Sequence, residues 1–321
     1  MPCRPACTVA DQNGVMTSLR RPPTVPAAFP GVTRRGLIKS GFGLVGAGAL
    51  TLPATTAYAA TEAADQLVVT RYRLVPPGWP AGQRLSICVI ADLHAGGPNM
   101  GRGRIRQVVD RSNALACDLV VLMGDYFATH PFVTEHLAPA VWAGELARLA
   151  APLGVYAIYG NHDWWFDIAG VRKALADVRI RAMQNEAVRL GPPGRRFWLA
   201  GLGDQLAHWI GPHRFEGVDD LPGTLAQVAT EEPVILIAHE PDIFPKVPDR
   251  VSLTLAGHTH GGQIRLPFVP PVWTPSAYGA RYAYGHIVER GRHLIVSGGL
   301  GCSGVPLRLG VPPEILRVEL G

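Results

Sequence analysis

Histidine, aspartate and asparagine side chains that could bind metal ions recur along the chain, each directly after an apolar run. The set comprises Asp92, His94, Asp125, Asn161, His239, His258 and His260. These nitrogen and oxygen donors include no thiolate, which suits manganese, iron, zinc or cobalt better than copper(I) or an iron–sulfur cluster. Seven ligands are too many for one tetrahedral ion. They fit two ions that share one carboxylate, as in centres that stabilise the attacking and leaving oxygens of phosphoryl transfer.

The apolar runs before these residues predict strands that are buried on both faces, because they are rich in Val, Ile and Leu and show no alternation. They are Leu85–Ile90, Asp118–Met123, Gly154–Tyr159, Pro233–Ala238 and Ser252–Ala256. Helical patterns lie between them at Arg102–Leu115, Pro139–Leu149, Ala169–Val178 and Leu221–Thr230. Alternating strands and helices predict an α/β domain, in which ligands bind beyond the carboxyl ends of the strands.

The rest of the chain completes this domain. Residues 262–285 are rich in proline, glycine and aromatic residues and are interpreted as long loops. Two further strands are predicted at His293–Ser297 and Glu314–Glu319. No linker divides the chain, so we predict one domain over residues 66–321.

Composition and charge exclude several classes of protein. With 321 residues, 47% of them hydrophobic and only five cysteines, the chain is neither a disordered protein nor a disulfide-stapled miniprotein. Residues 1–59 contain six of the 30 basic residues and one of the 25 acidic residues, which leaves 24 of each sign in the remainder. A nucleic-acid-binding protein would have a basic body, so no nucleic-acid partner is expected.

The first 59 residues are interpreted as an N-terminal extension followed by a signal peptide. Thr33–Lys39 contains paired arginines, Gly41–Leu52 is apolar, and Ala57-Tyr58-Ala59 resembles a cleavage site, with the cut after Ala59. The paired arginines resemble a twin-arginine signal, so we expect export by the twin-arginine translocase to the periplasm or cell envelope. Retention of the apolar stretch as an anchor is the alternative.

The ordered motifs resemble those of the calcineurin-like metallophosphoesterase superfamily, in particular its exported bacterial YkuE-like branch. The motifs are Asp92-Leu93-His94, Gly124-Asp125, Gly160-Asn161-His162-Asp163, the lone His239 and Gly257-His258-Thr259-His260. The resemblance implies a four-layer α/β/β/α sandwich with metal ligands at the C-terminal ends of strands and two divalent metal ions, expected to be manganese, iron or zinc.

The resemblance also implies a role for each residue of the motifs. Asp92, His94 and His260 would bind the first metal ion, Asn161, His239 and His258 the second, and Asp125 both. Metal-activated water would attack a phosphodiester or pyrophosphate, and His162 would be catalytic by assisting the leaving group. Asp163 would orient its surroundings or cap a helix.

One departure from the superfamily bears on the substrate. Its protein phosphatases carry Gly-Asp-x-x-Asp-Arg-Gly, whereas this chain has Ala128 and Thr129 in place of the second aspartate and the arginine. A protein phosphatase is therefore disfavoured, and a small phosphoester or lipid-linked phosphate with fewer charges is expected. A UDP-2,3-diacylglucosamine-type lipid pyrophosphatase and a non-catalytic metal-binding envelope protein remain alternatives.

Several residues near the motifs could contact substrate. The candidates are Tyr126, His130, Trp164 and Trp165. Arg265, Arg281 and Arg308 are candidates for a distal phosphate, although each is interpreted in the first place as a solvated surface charge. The aromatic residues of the loops leave peripheral contact with a membrane open.

Overall fold

Two six-stranded sheets form the centre of the protein in the computed structural model, which describes residues 51–266, 268–271 and 273–321. The strands of the first sheet are β1 Val68–Leu74, β2 Leu85–Ile90, β3 Leu119–Leu122, β4 Val155–Ala157, β5 Arg181–Ala182 and β14 Glu314–Leu320. Their order in the sheet is β1-β14-β2-β3-β4-β5. Strands β2 to β5 are parallel to one another, while β14 is antiparallel to β2 and parallel to β1.

The strands of the second sheet are β6 Glu186–Leu190, β7 Phe197–Gly201, β10 Val234–Ile237, β11 Val251–Ala256, β12 Gly285–Glu289 and β13 Arg292–Val296. Their order is β12-β13-β11-β10-β7-β6. The four central strands are parallel, and the two edge strands are antiparallel to their neighbours. A separate hairpin consists of β8 His208–Gly211 and β9 Arg214–Glu216.

Helices flank the two sheets. Their bounds are α1 Thr51–Asp65, α2 Arg102–Asn113, α3 Pro139–Leu146, α4 Asn161–Phe166, α5 Ile168–Asp177 and α6 Leu221–Ala226. Short 3₁₀ turns lie at Pro241–Lys246, His260–Gly262 and Gly279–Tyr282. The four predicted helices are therefore present, and each ends before its predicted limit.

Three hydrophobic clusters show that the sheets and helices form four layers. In β2, Ile87 and Val89 point into the cluster between the two sheets, while Cys88 and Ile90 point into a cluster shared with α2, α3 and α5. A third cluster lies between the second sheet and α6. Strand residues are thus buried on both faces, as the unalternating apolar runs predict. The predicted α/β class and four-layer sandwich are confirmed.

Several strands lie outside the predicted set. Strands β1, β6, β8, β9 and β12 carry charged or exposed residues, so they lack the continuous apolar run that identifies a buried strand. The predicted loop region of residues 262–285 is confirmed. Apart from its two ends, its described residues contain only the 3₁₀ turn Gly279–Tyr282 and one isolated bridge from Ile264 to Leu309.

Helix α1 spans the predicted cleavage site after Ala59. The side chains of Ala59 and Ala63 are buried, and the backbone N–H of Arg308 donates to the Ala59 carbonyl at 3.0 Å. The paired arginines and most of the apolar stretch lie outside the described residues, so the signal peptide stays a prediction. Within the part of the chain that the structure describes, no helix has both the length and the apolarity to cross a bilayer.

Candidate metal centre

The predicted metal ligands converge in two buried clusters, because the strands that precede them all end at the same edge of the sandwich. In the first cluster, Nε2 of His94 lies 3.1 Å from Nε2 of His260, and Nε2 of His260 lies 3.8 Å from Oδ1 of Asp92. Strand β2 positions Asp92 and His94, and β11 in the other sheet positions His260. The three ligand atoms lie within 4.8 Å of one another.

The second cluster surrounds the side-chain oxygen of Asn161. This oxygen lies 3.2 Å from Nε2 of His239 and 3.0 Å from Nδ1 of His258. The carboxylate of Asp125 stands between the clusters, with Oδ2 at 3.5 Å from Nε2 of His94 and 3.3 Å from Nε2 of His239. The structure thus brings all seven predicted ligands together and gives Asp125 the shared position.

The hydrogen bonds of two ligand histidines direct a nitrogen lone pair into the centre. Nδ1 of His94 donates to the carbonyl of Phe127 at 2.8 Å, and Nδ1 of His239 donates to the carbonyl of Met123 at 2.6 Å. In a neutral ring the other nitrogen, Nε2, is then an acceptor. Oδ2 of Asp92 is buried without a hydrogen-bond partner. Converging lone pairs and an unpaired buried carboxylate oxygen fit divalent cations.

The pKa shifts of the buried acids and histidines in the centre also fit a bound cation. Burial raises the pKa of Asp92 to about 7 and lowers the pKa of His94 to about 3. Burial alone would raise the pKa of Asp125, but His239 and His162 hold it well below its usual range. Burial likewise opposes the charged form of His239, yet Asp125 raises its pKa well above the usual value. A proton on His239 therefore neutralises the carboxylate where a metal ion would bind.

Left-handed backbone conformations orient most of the candidate metal ligands. Asp92, His94, Asp125, His258 and His260 all have positive φ, between 43° and 68°. This left-handed region costs a non-glycine residue about 1–3 kcal/mol and is found where the surrounding structure holds it for function. These residues all lie just beyond the ends of strands, so the conformation turns the chain there and directs the ligands inward.

Asp163 supports the turn after β3. Its carboxylate accepts the backbone N–H groups of Asp125 and Gly160 at 2.9 Å and of Tyr126 at 2.7 Å. Gly124 and Gly160 allow the two motif loops to touch, since a Cβ on Gly124 would lie 2.4 Å from the nitrogen of Gly160. The predicted orienting role of Asp163 agrees with these contacts.

His162 stands beside the shared carboxylate at the first turn of α4. Its Nε2 lies 3.9 Å from Oδ2 of Asp125, and its Nδ1 contacts the hydroxyl of Thr129. The ring of Trp165 flanks it at 5.3 Å. Burial lowers the pKa of His162 despite the carboxylate of Asp125, so the ring is neutral at pH 7. The hydroxyl of Thr129 can therefore donate to Nδ1 and leave a proton on Nε2, which faces the centre.

Tyr126, the first of the four candidate substrate residues, belongs to the core. Its side chain is buried, stacks on Trp142 at 4.9 Å and donates its hydroxyl to the carbonyl of Ile158 at 3.1 Å. Its assignment as a substrate residue is therefore wrong. The physical reason is that its side chain turns into the core although its backbone directly follows a metal ligand.

Trp164, the second candidate, contacts the β8–β9 hairpin and helix α5. Its ring meets His208 of the β8–β9 hairpin edge-on at 5.2 Å, and the guanidinium of Arg172 lies over it at 5.0 Å. Part of its side chain also packs against the hydrophobic cluster between the first sheet and the helices. Its role in substrate binding stays a prediction.

Trp165 and His130 lie closer to the centre. Trp165 flanks His162 and stacks on Phe215 of the β8–β9 hairpin at 5.3 Å. His130 is nearly buried, and burial lowers its pKa to about 4. Its Nδ1 accepts the backbone N–H of Phe132 at 3.2 Å. The hairpin thus packs against Trp165, which in turn lies beside His162. None of the sequence motifs includes this hairpin.

Arg308 lies at the centre, although the sequence analysis interprets it as a solvated surface charge or a contact to a distal phosphate. It is fully buried rather than solvated, and it donates to the carbonyls of Gly298, Gly301 and Val311 at 2.8, 2.9 and 3.0 Å. A further N–H contacts Nδ1 of His260 at 3.1 Å. Because a guanidinium can only donate, Nδ1 of His260 is the acceptor and its proton lies on Nε2.

Two buried acids beside His239 were also not predicted. Asp204 and Glu240 form a third group with His239 whose ligand atoms lie within 4.8 Å of one another. Burial and the neighbouring Glu240 raise the pKa of Asp204 well above its usual range. The only sequence signal was the position of Glu240 directly after His239.

The fold and the centre define a calcineurin-like phosphoesterase. The model of that family matches residues 85–262, and the chain belongs to the family. It is a metal-dependent phosphoesterase. The uncharacterized metallophosphoesterase YkuE of Bacillus subtilis (strain 168) is 32% identical over 291 residues, which cover 88% of this chain and 96% of YkuE.

Two further relatives are similar over shorter stretches. The phosphodiesterase YaeI of Escherichia coli (strain K12) is 31% identical over 210 residues, which cover 63% of this chain and 70% of YaeI. A transmembrane protein with metallophosphoesterase domain from Danio rerio is 31% identical over 246 residues, which cover 74% of this chain and 53% of that protein.

Proposed function

We propose that the protein hydrolyses a phosphodiester or a pyrophosphate, with two divalent metal ions bound by the seven ligands. Asp92, His94 and His260 bind one ion, Asn161, His239 and His258 bind the other, and Asp125 binds both. When bound, the ions supply activation of water and neutralisation of charge on the phosphate oxygens. Donors of this kind suit manganese, iron or zinc, and manganese is the ion we choose for assay.

One observation carries the proposal: His162 stands beside the carboxylate of Asp125, with Nδ1 in contact with the hydroxyl of Thr129 and Nε2 on the side of the centre. Since His162 is neutral at pH 7, it assists by hydrogen bonding to the departing oxygen through Nε2, rather than by supplying a full positive charge. Thr129 holds the ring from its other side, and Trp165 shields it. A protein that only stores metal has no need of a proton donor at this position.

The charge around the centre favours a phosphate group that carries one negative charge, as in a diester or a substituted pyrophosphate. A phosphomonoester dianion needs more positive charge, which the protein phosphatases of the superfamily supply through the arginine of Gly-Asp-x-x-Asp-Arg-Gly. Thr129 occupies the position of that arginine in this chain, and its neutral hydroxyl contacts His162. Arg308 does not replace it, because its guanidinium is buried behind His260 and bonded to backbone carbonyls.

Hydrolysis of bis(p-nitrophenyl) phosphate by the full chain with added manganese tests the proposal. His162→Ala should keep the metal content and lower the rate by about 10²–10⁴-fold. The loss should be greater with diphenyl phosphate, whose leaving group needs more assistance. His286→Ala serves as the control, because His286 lies on β12 and contacts His293 rather than the centre. Full metal occupancy without turnover in the parent protein would instead support the non-catalytic alternative.

We also propose that the protein acts outside the cytoplasm, after export by the twin-arginine translocase. The motif around Arg34 and Arg35 supports this proposal, since it precedes an apolar stretch and small residues in the order of a signal peptide. Replacing both arginines by lysine should leave the protein in the cytoplasm. N-terminal sequencing of the exported protein would identify the cleavage site, or show that the segment is retained.

A further inference from the structure

Exposed apolar side chains are concentrated in the long loop that follows the metal-binding motif. We call residues 264–266, 268–271 and 273–284 the apolar loop. Large side chains that are exposed there are Leu266, Phe268, Val269, Trp273 and Tyr278, and Phe268 is exposed completely. Phe268 also has φ of 65°, a conformation that is strained for an aromatic residue. A group of exposed apolar side chains that includes a strained phenylalanine indicates a surface that binds a partner.

The apolar loop also borders a cavity and carries only positive charge. The cavity has a volume of about 590 Å³, and the residues that line it include Arg265, Leu266, Phe268, Val269 and Tyr284. Between residues 261 and 285 the sequence contains two arginines and no acidic residue. Arg281 is paired with Glu289, whereas the guanidinium of Arg265 lies over the ring of Tyr284 at the cavity wall.

Direct contacts hold both ends of the apolar loop against the metal centre. Directly before its start, the backbone N–H of Gln263 donates to the carbonyl of His260 at 2.8 Å. Near its end, the hydroxyl of Thr259 donates to the carbonyl of Ala283 at 2.7 Å. His260 and Thr259 belong to the motif that contains two of the candidate metal ligands. Any partner that binds the apolar loop is therefore brought close to the metal centre.

We propose that the apolar loop docks the protein on an anionic lipid bilayer. Leu266, Phe268 and Val269 enter the interfacial region, and Arg265 binds a headgroup phosphate. Aromatic residues together with arginine are the residues that prefer this region of a bilayer, and a positive loop without acids complements anionic lipids. An irregular loop with free backbone groups can enter the headgroup layer but not the hydrocarbon core. The proposal is independent of the proposed phosphodiesterase activity, because lipid binding is measured without turnover.

Flotation of the full chain with vesicles tests this proposal. The parent should float with vesicles of phosphatidylcholine mixed with phosphatidylglycerol, and less with phosphatidylcholine alone. Replacing Phe268 and Leu266 by serine should lower partitioning by about tenfold or more, given the apolar area that would no longer be buried. Val75→Ser is the matched control, because Val75 is 62% exposed and Leu266 is 53% exposed, yet Val75 lies outside the loop. Every variant carries the same N-terminal segment, so differences between them belong to the loop.

Other outcomes would overturn the proposal. Equal flotation of the parent and the double serine variant would show that the loop does not bind lipid. A concentration-dependent dimer of the parent that the double variant loses, without flotation of either, would assign the loop to a second copy of the chain. Arg265→Gln should reduce binding only to the anionic vesicles, and an equal loss on both vesicle types would contradict the role given to its charge. Hydrolysis of a soluble diester should be unchanged in the double serine variant and in Val75→Ser.

Discussion

Replacing Thr129 by valine should test how the chain holds His162 without the aspartate found in related protein phosphatases. The hydroxyl of Thr129 contacts Nδ1 of His162, and valine keeps its shape while removing that hydrogen bond. A hydrogen bond between neutral groups contributes about 0.5–1.5 kcal/mol net, which corresponds to a rate loss of roughly 2- to 13-fold. The loss arises because the ring can then rotate or place its proton on Nδ1. Thr129→Ser should retain most of the rate.

The assay is turnover of bis(p-nitrophenyl) phosphate at equal manganese content. Thr254→Val is the matched control, since the hydroxyl of Thr254 is buried without a hydrogen-bond partner and its loss should cost no activity. The two changes at the His162 site should not add: in a His162→Ala background, Thr129→Val should have no further effect. An equal loss in both backgrounds would refute the reasoning, because Thr129 would then act on something other than His162.

Three other predictions concern the metal centre. Because Asp125 raises the pKa of His239, metal binding should displace a proton and the affinity should rise about tenfold per pH unit. Calorimetry in buffers of different ionisation enthalpy counts the protons, and a pH-independent affinity would contradict this charge assignment. Arg308→Leu strips the donors from three buried carbonyls and should lower the free energy of unfolding by at least about 3 kcal/mol, with loss of metal from the first cluster. Denaturant unfolding and metal analysis follow both effects, and an unchanged protein would disprove its structural role. Gly160→Ala would place Cβ 2.4 Å from the carboxylate of Asp125 and should reduce the metal bound per chain in metal analysis, whereas Gly103→Ala, which faces open space, should be tolerated. Equal metal content in the two alanine variants would show that the loops can move apart.

The convergence of the candidate metal ligands could be predicted because their position depends on a simple rule. Each follows a strand of the parallel parts of the two sheets, and parallel strands bring their carboxyl ends to one edge. The rule predicts where a ligand lies along the chain, but it does not predict which way the neighbouring side chains point. Tyr126 follows Asp125 directly, yet the left-handed conformation of Asp125 helps turn the next side chain into the core, onto Trp142.

Residues whose roles depend on distant contacts could not be predicted. Arg308 lies in a loop without periodicity, and its partners are carbonyls of neighbouring turns and a histidine 48 positions earlier. A charged residue in such a loop is normally solvated, so only the packing reveals its burial. The β8–β9 hairpin was missed for a related reason: its residues are largely exposed, so they show no buried pattern.

The place of β14 in the first sheet determines when the protein can fold. Strand β14 lies between β1 and β2, although almost the whole domain separates it from them in sequence. On the ribosome, β1 and β2 therefore emerge long before the strand that joins them, and pairing across such a sequence separation is slow. Deleting β14 should accordingly destabilise the whole sandwich rather than only one edge of a sheet. The complete sandwich, which positions the metal centre, is therefore expected to form only after β14 has emerged.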